Sequence, residues 1–436
     1  MRGRPGTKAL PLAGGGRAVG GPVALGVFAA LVAVALASWL AAAVALAFAA
    51  PQLAARDPLA WQAVLGAHLV ALGLLPPAVT GAAFHLLPVM LRNDVRRPRA
   101  LRFLPVLLAG GPFAAIGISR DLPWLVWPAT VLVAAGLVVV LVELVGLVAR
   151  APRGRTLVAS RAGVVLVCVH VAAALVIGAA VFGRGDRSYA GVGHDRWVLV
   201  HLHLAVLGWL TLLIVTVGRT LGPMLALAPS APPRRVPLTE LVLACGLWVL
   251  VAGIATDRRA LELVGGAAVI SALVGFAARM APLLARHRLP LEAPLAHMAA
   301  GAVFLLQAAV LGAAIATTAV SPRRALAAYV LLLLVGWAGG VTLGHLGKLL
   351  SLSIWVWWPP GPRPKQEALY PRRLWLAEAA LFAVGVEVLA IGSLLESAAA
   401  TRVGALLLVV AAVLAAVAAA RTWSRRPRGS GYAATL

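Results

Sequence analysis

The chain has 436 residues, 62% of them hydrophobic, 12% charged and 6% aromatic, with a mean hydropathy of +0.96. Soluble domains run at about 45–50% apolar and about 25% charged, which excludes a soluble enzyme, a secreted disulfide scaffold and a disordered chain. The formal charge of +24 sits in short basic clusters between apolar runs, the pattern of a positive-inside membrane protein and not of a nucleic-acid binder.

A membrane-crossing helix needs about 20 apolar residues. In chain order, runs of that kind lie near 21–50, 61–91, 103–118, 125–149, 162–183, 197–226, 238–255, 260–284, 294–319, 325–356, 374–395 and 403–420. A membrane β-barrel would show short alternating stretches instead. The expected fold is therefore all-α: a polytopic membrane protein of about twelve transmembrane helices forming one integral domain over 1–436, with tails at 1–20 and 421–436. Arg92-Asn93-Asp94, Pro152-Arg153-Gly154, Pro232-Pro233-Arg234-Arg235 and Pro359-Pro360-Gly361-Pro362 punctuate the runs. Placing the N-terminus inside and alternating puts about 28 of the 38 Lys and Arg residues inside and about 10 outside. Both tails then face the cytoplasm of a bacterial-type inner membrane, and Trp355, Trp357 and Trp358 form an aromatic belt at an inner helix end. The first run is too long for a signal-peptide core; cleavage near Phe48-Ala49-Ala50 would leave eleven spans and break the charge pattern. Cys168 and Cys245 fall inside apolar runs and read as small buried hydrophobes.

The second and sixth runs repeat one another. His68-Leu69-Val70-Ala71-Leu72-Gly73 matches His203-Leu204-Ala205-Val206-Leu207-Gly208, and Leu86-Leu87-Pro88-Val89-Met90 matches Leu221-Gly222-Pro223-Met224-Leu225 at the same offset. The tenth run echoes them: Gly336-Trp337 aligns with Gly208-Trp209, and Leu331 takes the histidine's place. Spans two, six and ten are four apart, so the expected architecture is three four-helix units in a pseudo-threefold arrangement.

Nine histidines are present and several lie inside spans, where an ionisable side chain is a functional-site hypothesis by default. His68, His201 and His203 fall in the outer half, with His194 just outside; His85, His170, His297 and His345 fall toward the inner half, and His287 lies in a basic loop. His201 and His203 point about 200° apart on their helix, so one helix can serve two cofactors, or one cofactor and one polar partner. His68 is the repeat partner of His203, and equal depth on two helices suits bis-His ligation of a b-type haem. His68, His203 and His201 are therefore the metal-ligand candidates. Small residues beside them (Ala67, Ala71, Gly73, Ala205, Gly208) leave room for a flat macrocycle, although they serve plain helix packing equally. His85 and His345 are candidates for a second haem or a copper ion, for a proton path or for headgroup binding. Seventeen residues, roughly 25 Å of helix, keep His68 and His85 from sharing an iron. His170 and His297 read as interface histidines; Glu387, Gln307, Glu143 and Arg219 are the other polar groups singled out inside the runs, Glu387 as a proton-relay candidate.

These residues resemble subunit I of the haem-copper oxidases and the related nitric oxide reductases: twelve spans, a histidine in span two, and the stretch His201-Leu202-His203 through Gly208-Trp209 to Gly222-Pro223-Met224, similar to that family's His-x-His helix. The resemblance implies that one of the two histidines holds a low-spin haem with the span-two histidine and the other a high-spin haem. The family carries His-x-His on its tenth span, whereas here it is on the sixth. Span seven, which in the family carries copper-binding histidines, has none, which implies a haem-binding relative without a complete oxygen-reducing copper site. Gly344-His345-Leu346-Gly347-Lys348 is similar to the Gly-His-x-Gly-basic stretch of twelve-span haem- and copper-containing membrane proteins linked to nitric oxide stress. Implied partners are lipid, a quinone or cytochrome, and respiratory-complex subunits. Two competing readings stand beside this one. One is a cofactor-free permease using Pro76-Pro77 and Gly110-Gly111-Pro112 as mid-membrane breaks; the other is a structural or assembly subunit.

Overall fold

The structure, a computed structural model, describes residues 24–91, 93–152, 158–184, 193–225, 237–285, 292–359 and 361–427. Residues 1–20 and 428–436 of the expected tails, His287 and Pro232 to Arg235 lie outside these residues, while Arg421 to Ser424, expected in the C-terminal tail, continue the last helix. Among the described residues there is no strand, and twelve helices are long and apolar enough to cross a membrane. They run Leu25–Ala54, Trp61–Leu91, Ala100–Ser119, Pro123–Arg150, Ser160–Val181, His194–Arg219, Leu238–Thr256, Arg259–Pro282, Ala293–Ala316, Ala325–Val356, Arg372–Leu394 and Ala398–Ser424, spans 1 to 12 in order. All twelve expected runs are present. Successive spans pack as antiparallel neighbours, and span 1 meets span 12, which closes the ring.

Short turns join the spans at the end the charge pattern assigns to the outside. Each described turn there contains one non-glycine residue in the left-handed region: Arg56, Asp121, Asp257, Thr318 and Glu396. Such a residue ends a helix by returning the next amides to the last helical carbonyls, as Leu122 N does to Gly117 O at 2.8 Å and Ser397 N to Gly392 O at 2.9 Å. The turns are tied together by Arg56–Glu396 and Arg196–Asp257 ion pairs, and Arg120 lies over the Trp61 ring. The basic end is held differently: Glu143, buried near the end of span 4, accepts from the Arg96 and Arg97 amides at 3.1 Å each.

Spans 2, 6 and 10 are the inner helices. Their most apolar windows are 67, 61 and 83% buried, against 17–56% for the other nine. Each carries a π-helical segment, Leu69–Leu74, Leu204–Thr211 and Leu331–Gly339, at the repeat-equivalent position. The π segment of span 10 touches both others. Trp337 Nε1 donates to Thr211 Oγ1 at 2.7 Å, and Thr211 Oγ1 donates to the Val206 carbonyl five residues back at 2.9 Å, capping a carbonyl that the wide turn leaves available.

The repeat extends to packing. At Gly73, Gly208 and Gly336, which occupy equivalent positions, an added Cβ would strike Ser38 at 2.6 Å, His170 at 2.5 Å and Phe304 at 2.8 Å. Each struck residue belongs to the span just before the inner one: 1, 5 and 9. Two turns further on, Gly81 meets Phe28 of span 1 and Gly344 meets His297 of span 9, while in the middle unit the roles exchange and Gly163 of span 5 meets Thr216.

Of the two candidate breaks of the permease reading, the helix runs on through Pro76-Pro77 but is interrupted next to Gly110-Gly111-Pro112. Span 2 passes through Pro76 and Pro77 as continuous helix to Leu91, because the wider π turn ahead of them absorbs the carbonyls that proline cannot pair. Span 3 bends at Ala109, but Gly110 is pressed onto the Ala129 carbonyl of span 4 and Gly111 onto the Leu72 carbonyl of span 2. These glycines are close-packing points. Cys168 is buried as expected; Cys245 instead faces outward, on the rim, and both are free thiols. Gly111→Ala is expected to lower stability by about 1–3 kcal/mol, because its Cβ meets backbone that cannot yield. Gly146→Ala, which meets nothing within 4 Å, is the control and should be neutral. Thermal unfolding in detergent distinguishes the two.

Candidate functional site

The outer histidines gather between spans 2, 5, 6 and 10. His68 lies seven residues past the start of span 2 and His201 seven past the start of span 6, roughly 10 Å in. His68 Nδ1 donates to the Val64 carbonyl at 2.8 Å. His201 Nδ1 donates across to the Ala174 carbonyl of span 5 at 3.0 Å, and its ring fills the space left by Gly178, where a Cβ would sit 2.6 Å from it. A carbonyl only accepts, so Nδ1 carries the hydrogen in both rings and each neutral imidazole keeps its lone pair on Nε2.

His203 is turned the other way, as the 200° separation requires. Its Nδ1 donates to the Leu199 carbonyl at 2.7 Å, and its Nε2 accepts from the Tyr329 hydroxyl of span 10 at 2.8 Å, the rings 5.9 Å apart. The two rings of span 6 thus meet different neighbours, His201 span 5 and His203 span 10. Tyr329 is a site residue that sequence reasoning missed. The repeat offset that equates His203 with Leu331 equates His201 with Tyr329, and that alignment was the available signal.

The inner histidines do not form one site. His85 meets span 10 at Ser353 (3.4 Å) and stacks near Phe28. Ser353 is eight residues beyond His345, roughly 12 Å along the helix. His345 is half-buried, with Nδ1 on the Val341 carbonyl at 2.8 Å. His170 is fully buried against Gly208 and Trp248, an interface histidine by placement, although its Nε2 lacks a partner. His297 pairs with Glu378 of span 11, and Gln307 with Glu387 at 2.9 Å. Glu378 was not singled out from the sequence, because it falls in the second turn of its helix, where a carboxylate ordinarily reaches solvent. Among the described residues no three His, Cys, Asp or Glu side chains converge as a metal-binding group.

The fold and site define a class: an all-α, twelve-span membrane protein built around three π-kinked inner helices, with a histidine pair between two of them. No protein-family model matches the chain, and comparison with curated proteins finds no match. Tyr329→Phe removes the donor to a buried ring nitrogen and is expected to cost about 1–3 kcal/mol, measured as a lower thermal midpoint with the helical signal unchanged at low temperature.

Proposed function

We propose that the protein is a haem-binding integral membrane protein, related in architecture to haem-copper oxidase subunit I, that serves electron transfer or nitric oxide and respiratory redox chemistry without a complete oxygen-reducing copper site. The observation that supports this is the state of His68 and His201, at one depth on spans 2 and 6: each has Nδ1 held by a carbonyl and Nε2 left with its lone pair. Two imidazole nitrogens suit axial ligation of a haem; of the small residues expected beside it, Gly73 and Gly208 are occupied by Ser38 and His170. When bound, such a haem supplies reversible one-electron chemistry at iron.

The chain's own contribution is orientation and environment. The Val64 and Ala174 carbonyls fix the ring tautomers and raise the basicity of the ligating nitrogens. The Ala174 bond comes from a different span, so the angle of the His201 ring is set by how span 5 packs on span 6. Both rings are part-buried, and the degree of burial is one of the levers that sets a reduction potential. The Tyr329 hydroxyl holds His203 out of this pair. In this reading both tails face the cytoplasm of a bacterial-type inner membrane, lipid covers the apolar rim, and a quinone or cytochrome exchanges electrons with the site.

Visible spectra of protein purified from haem-replete cells, oxidised and dithionite-reduced, test the reading. The expected result is a sharp reduced α-band of low-spin b-type haem, lost in His68→Ala and in His201→Ala and kept in His287→Ala and Tyr329→Phe. Loss in His203→Ala with retention in His201→Ala would overturn the ligand pairing. A colourless protein would overturn the haem reading and leave the cofactor-free permease in its place.

A further inference from the structure

The glycine-rich stretch of span 10 has a use that the haem reading does not absorb. Gly344 makes room for the His297 ring of span 9, Gly347 for the Trp375 indole of span 11, and Gly340 for Phe382 and the His297 ring together. His297 Nε2 and Glu378 Oε2 meet there at 2.8 Å, with both side chains wholly inaccessible. They lie four and six residues past the starts of spans 9 and 11, roughly 6 and 9 Å in from the basic end.

A lone carboxylate is strongly disfavoured at such a place. A carboxylic acid beside a neutral imidazole is tolerated, and so is a carboxylate beside an imidazolium. Both states contain one proton shared between Nε2 and Oε2, and they differ only in which atom holds it. Most buried polar atoms are hydrogen-bonded. Here His297 Nδ1 and Glu378 Oε1 are both buried without a partner, and so is Trp375 Nε1 in the same layer.

Polar groups follow directly on the pair toward the basic end; toward the other end the next polar pair between the same two spans, Gln307–Glu387, lies about ten residues further on, roughly 14 Å. Phe382 closes the far side, its ring 5.0 Å from that of His297. On the near side stands Tyr370, just before span 11. It is buried, its hydroxyl lies beside the Ala293 amide without a hydrogen bond of standard geometry, and it feels the charge of both Glu378 and Glu292. Burial first, and the Glu292 charge second, push its pKa up, so the hydroxyl stays protonated and can donate one proton while accepting another. Lys348 lies over the Tyr370 ring at 5.2 Å and pairs with Glu292 at 2.8 Å, and both of these side chains reach the surface. The other titratable groups facing this layer are His345 of span 10, which feels His297, and Arg372 at the start of span 11.

We propose that His297 and Glu378 form a proton-exchange site inside the membrane, loaded and emptied from the basic end through Tyr370 and the Glu292–Lys348 pair. In the loading step the Tyr370 hydroxyl gives its hydrogen to Glu378 Oε1 and takes a replacement proton from the Glu292–Lys348 surface; neither the hydroxyl nor Oε1 has a hydrogen-bond partner at rest, so each transfer requires the Tyr370 side chain to rotate into contact first. Emptying reverses both transfers, and no oxidant or reductant takes part. The proposal does not rest on haem: none of these groups belongs to the His68–His201 pair in the opposite half of the bundle.

Attenuated-total-reflection infrared spectroscopy of the full chain in lipid tests it. Comparing wild type with Glu378→Gln isolates the Glu378 signal, as a carboxylic acid or a carboxylate band. Glu378→Asp, which shifts that band rather than deleting it, serves if the first variant folds poorly. The expected result is that the Glu378 signal responds to transfer into heavy water or to a pH step within minutes. Tyr370→Phe combined with Glu292→Gln should slow the response by about tenfold or more, as for loss of a positioned proton donor, while Glu367→Gln on the nearby surface leaves it unchanged. A Glu378 signal that stays fixed for hours makes the pair a helix fastener only and overturns the proposal. An exchange that ignores the Tyr370 and Glu292 changes overturns the route.

Discussion

Close approach of three inner helices to the spans that precede them is the constraint on which the rest of this structure depends. In a membrane the hydrophobic effect does not drive one helix onto another, so association relies on contact and on hydrogen bonds between helices. Gly73, Gly208 and Gly336 supply the contact by leaving room for Ser38, His170 and Phe304. The π segments around these glycines widen the helix where it is most deeply buried. Thr211 and Trp337 then tie two of the three together.

The same economy governs the polar side chains. A histidine in a span must satisfy two ring nitrogens without help from water. His68, His170, His203 and His345 do half of this locally, each by donating Nδ1 to the carbonyl four residues back. His201 does it across a helix interface instead. What remains in every case is Nε2, and its surroundings separate the rings by role. At His203 it meets a phenol, at His170 it is sealed in packing, and at His68 and His201 it keeps its lone pair in a part-buried setting. A ligand pair and a packing histidine thus share one local geometry and differ only in what the next helix places opposite.

Polar chemistry is divided between the two ends of the bundle. The half under the short outer turns holds the His68–His201 pair, and the basic half holds His297–Glu378. Apolar inner-helix side chains such as Leu331 to Val335 lie among the most deeply buried residues between these halves. The Gly344-His345-Leu346-Gly347-Lys348 stretch gains a physical meaning from this division. Its glycines accommodate residues of spans 9 and 11, and its lysine reaches Glu292 at the surface.

The sequence by itself determined the number of spans, their type and the repeat. Long apolar runs cannot be wetted, and a shared His, Gly and Pro at constant offsets survive where Ala, Leu and Val carry no information. It also determined that His201 and His203 face apart, since that is helix geometry alone. Only the tertiary structure decided which neighbour each of them meets. That depends on the order of spans around the ring and on the rotation of each helix about its axis, and neither is encoded within a single span. The sequence likewise offered Pro76-Pro77 and Gly110-Gly111-Pro112 as candidate breaks; the packed helix runs on through the first, beside a π turn, and is interrupted at Ala109 next to the second, where the glycines meet backbone. Glu378 likewise looks like a solvent-reaching residue near a helix start until span 9 places His297 against it.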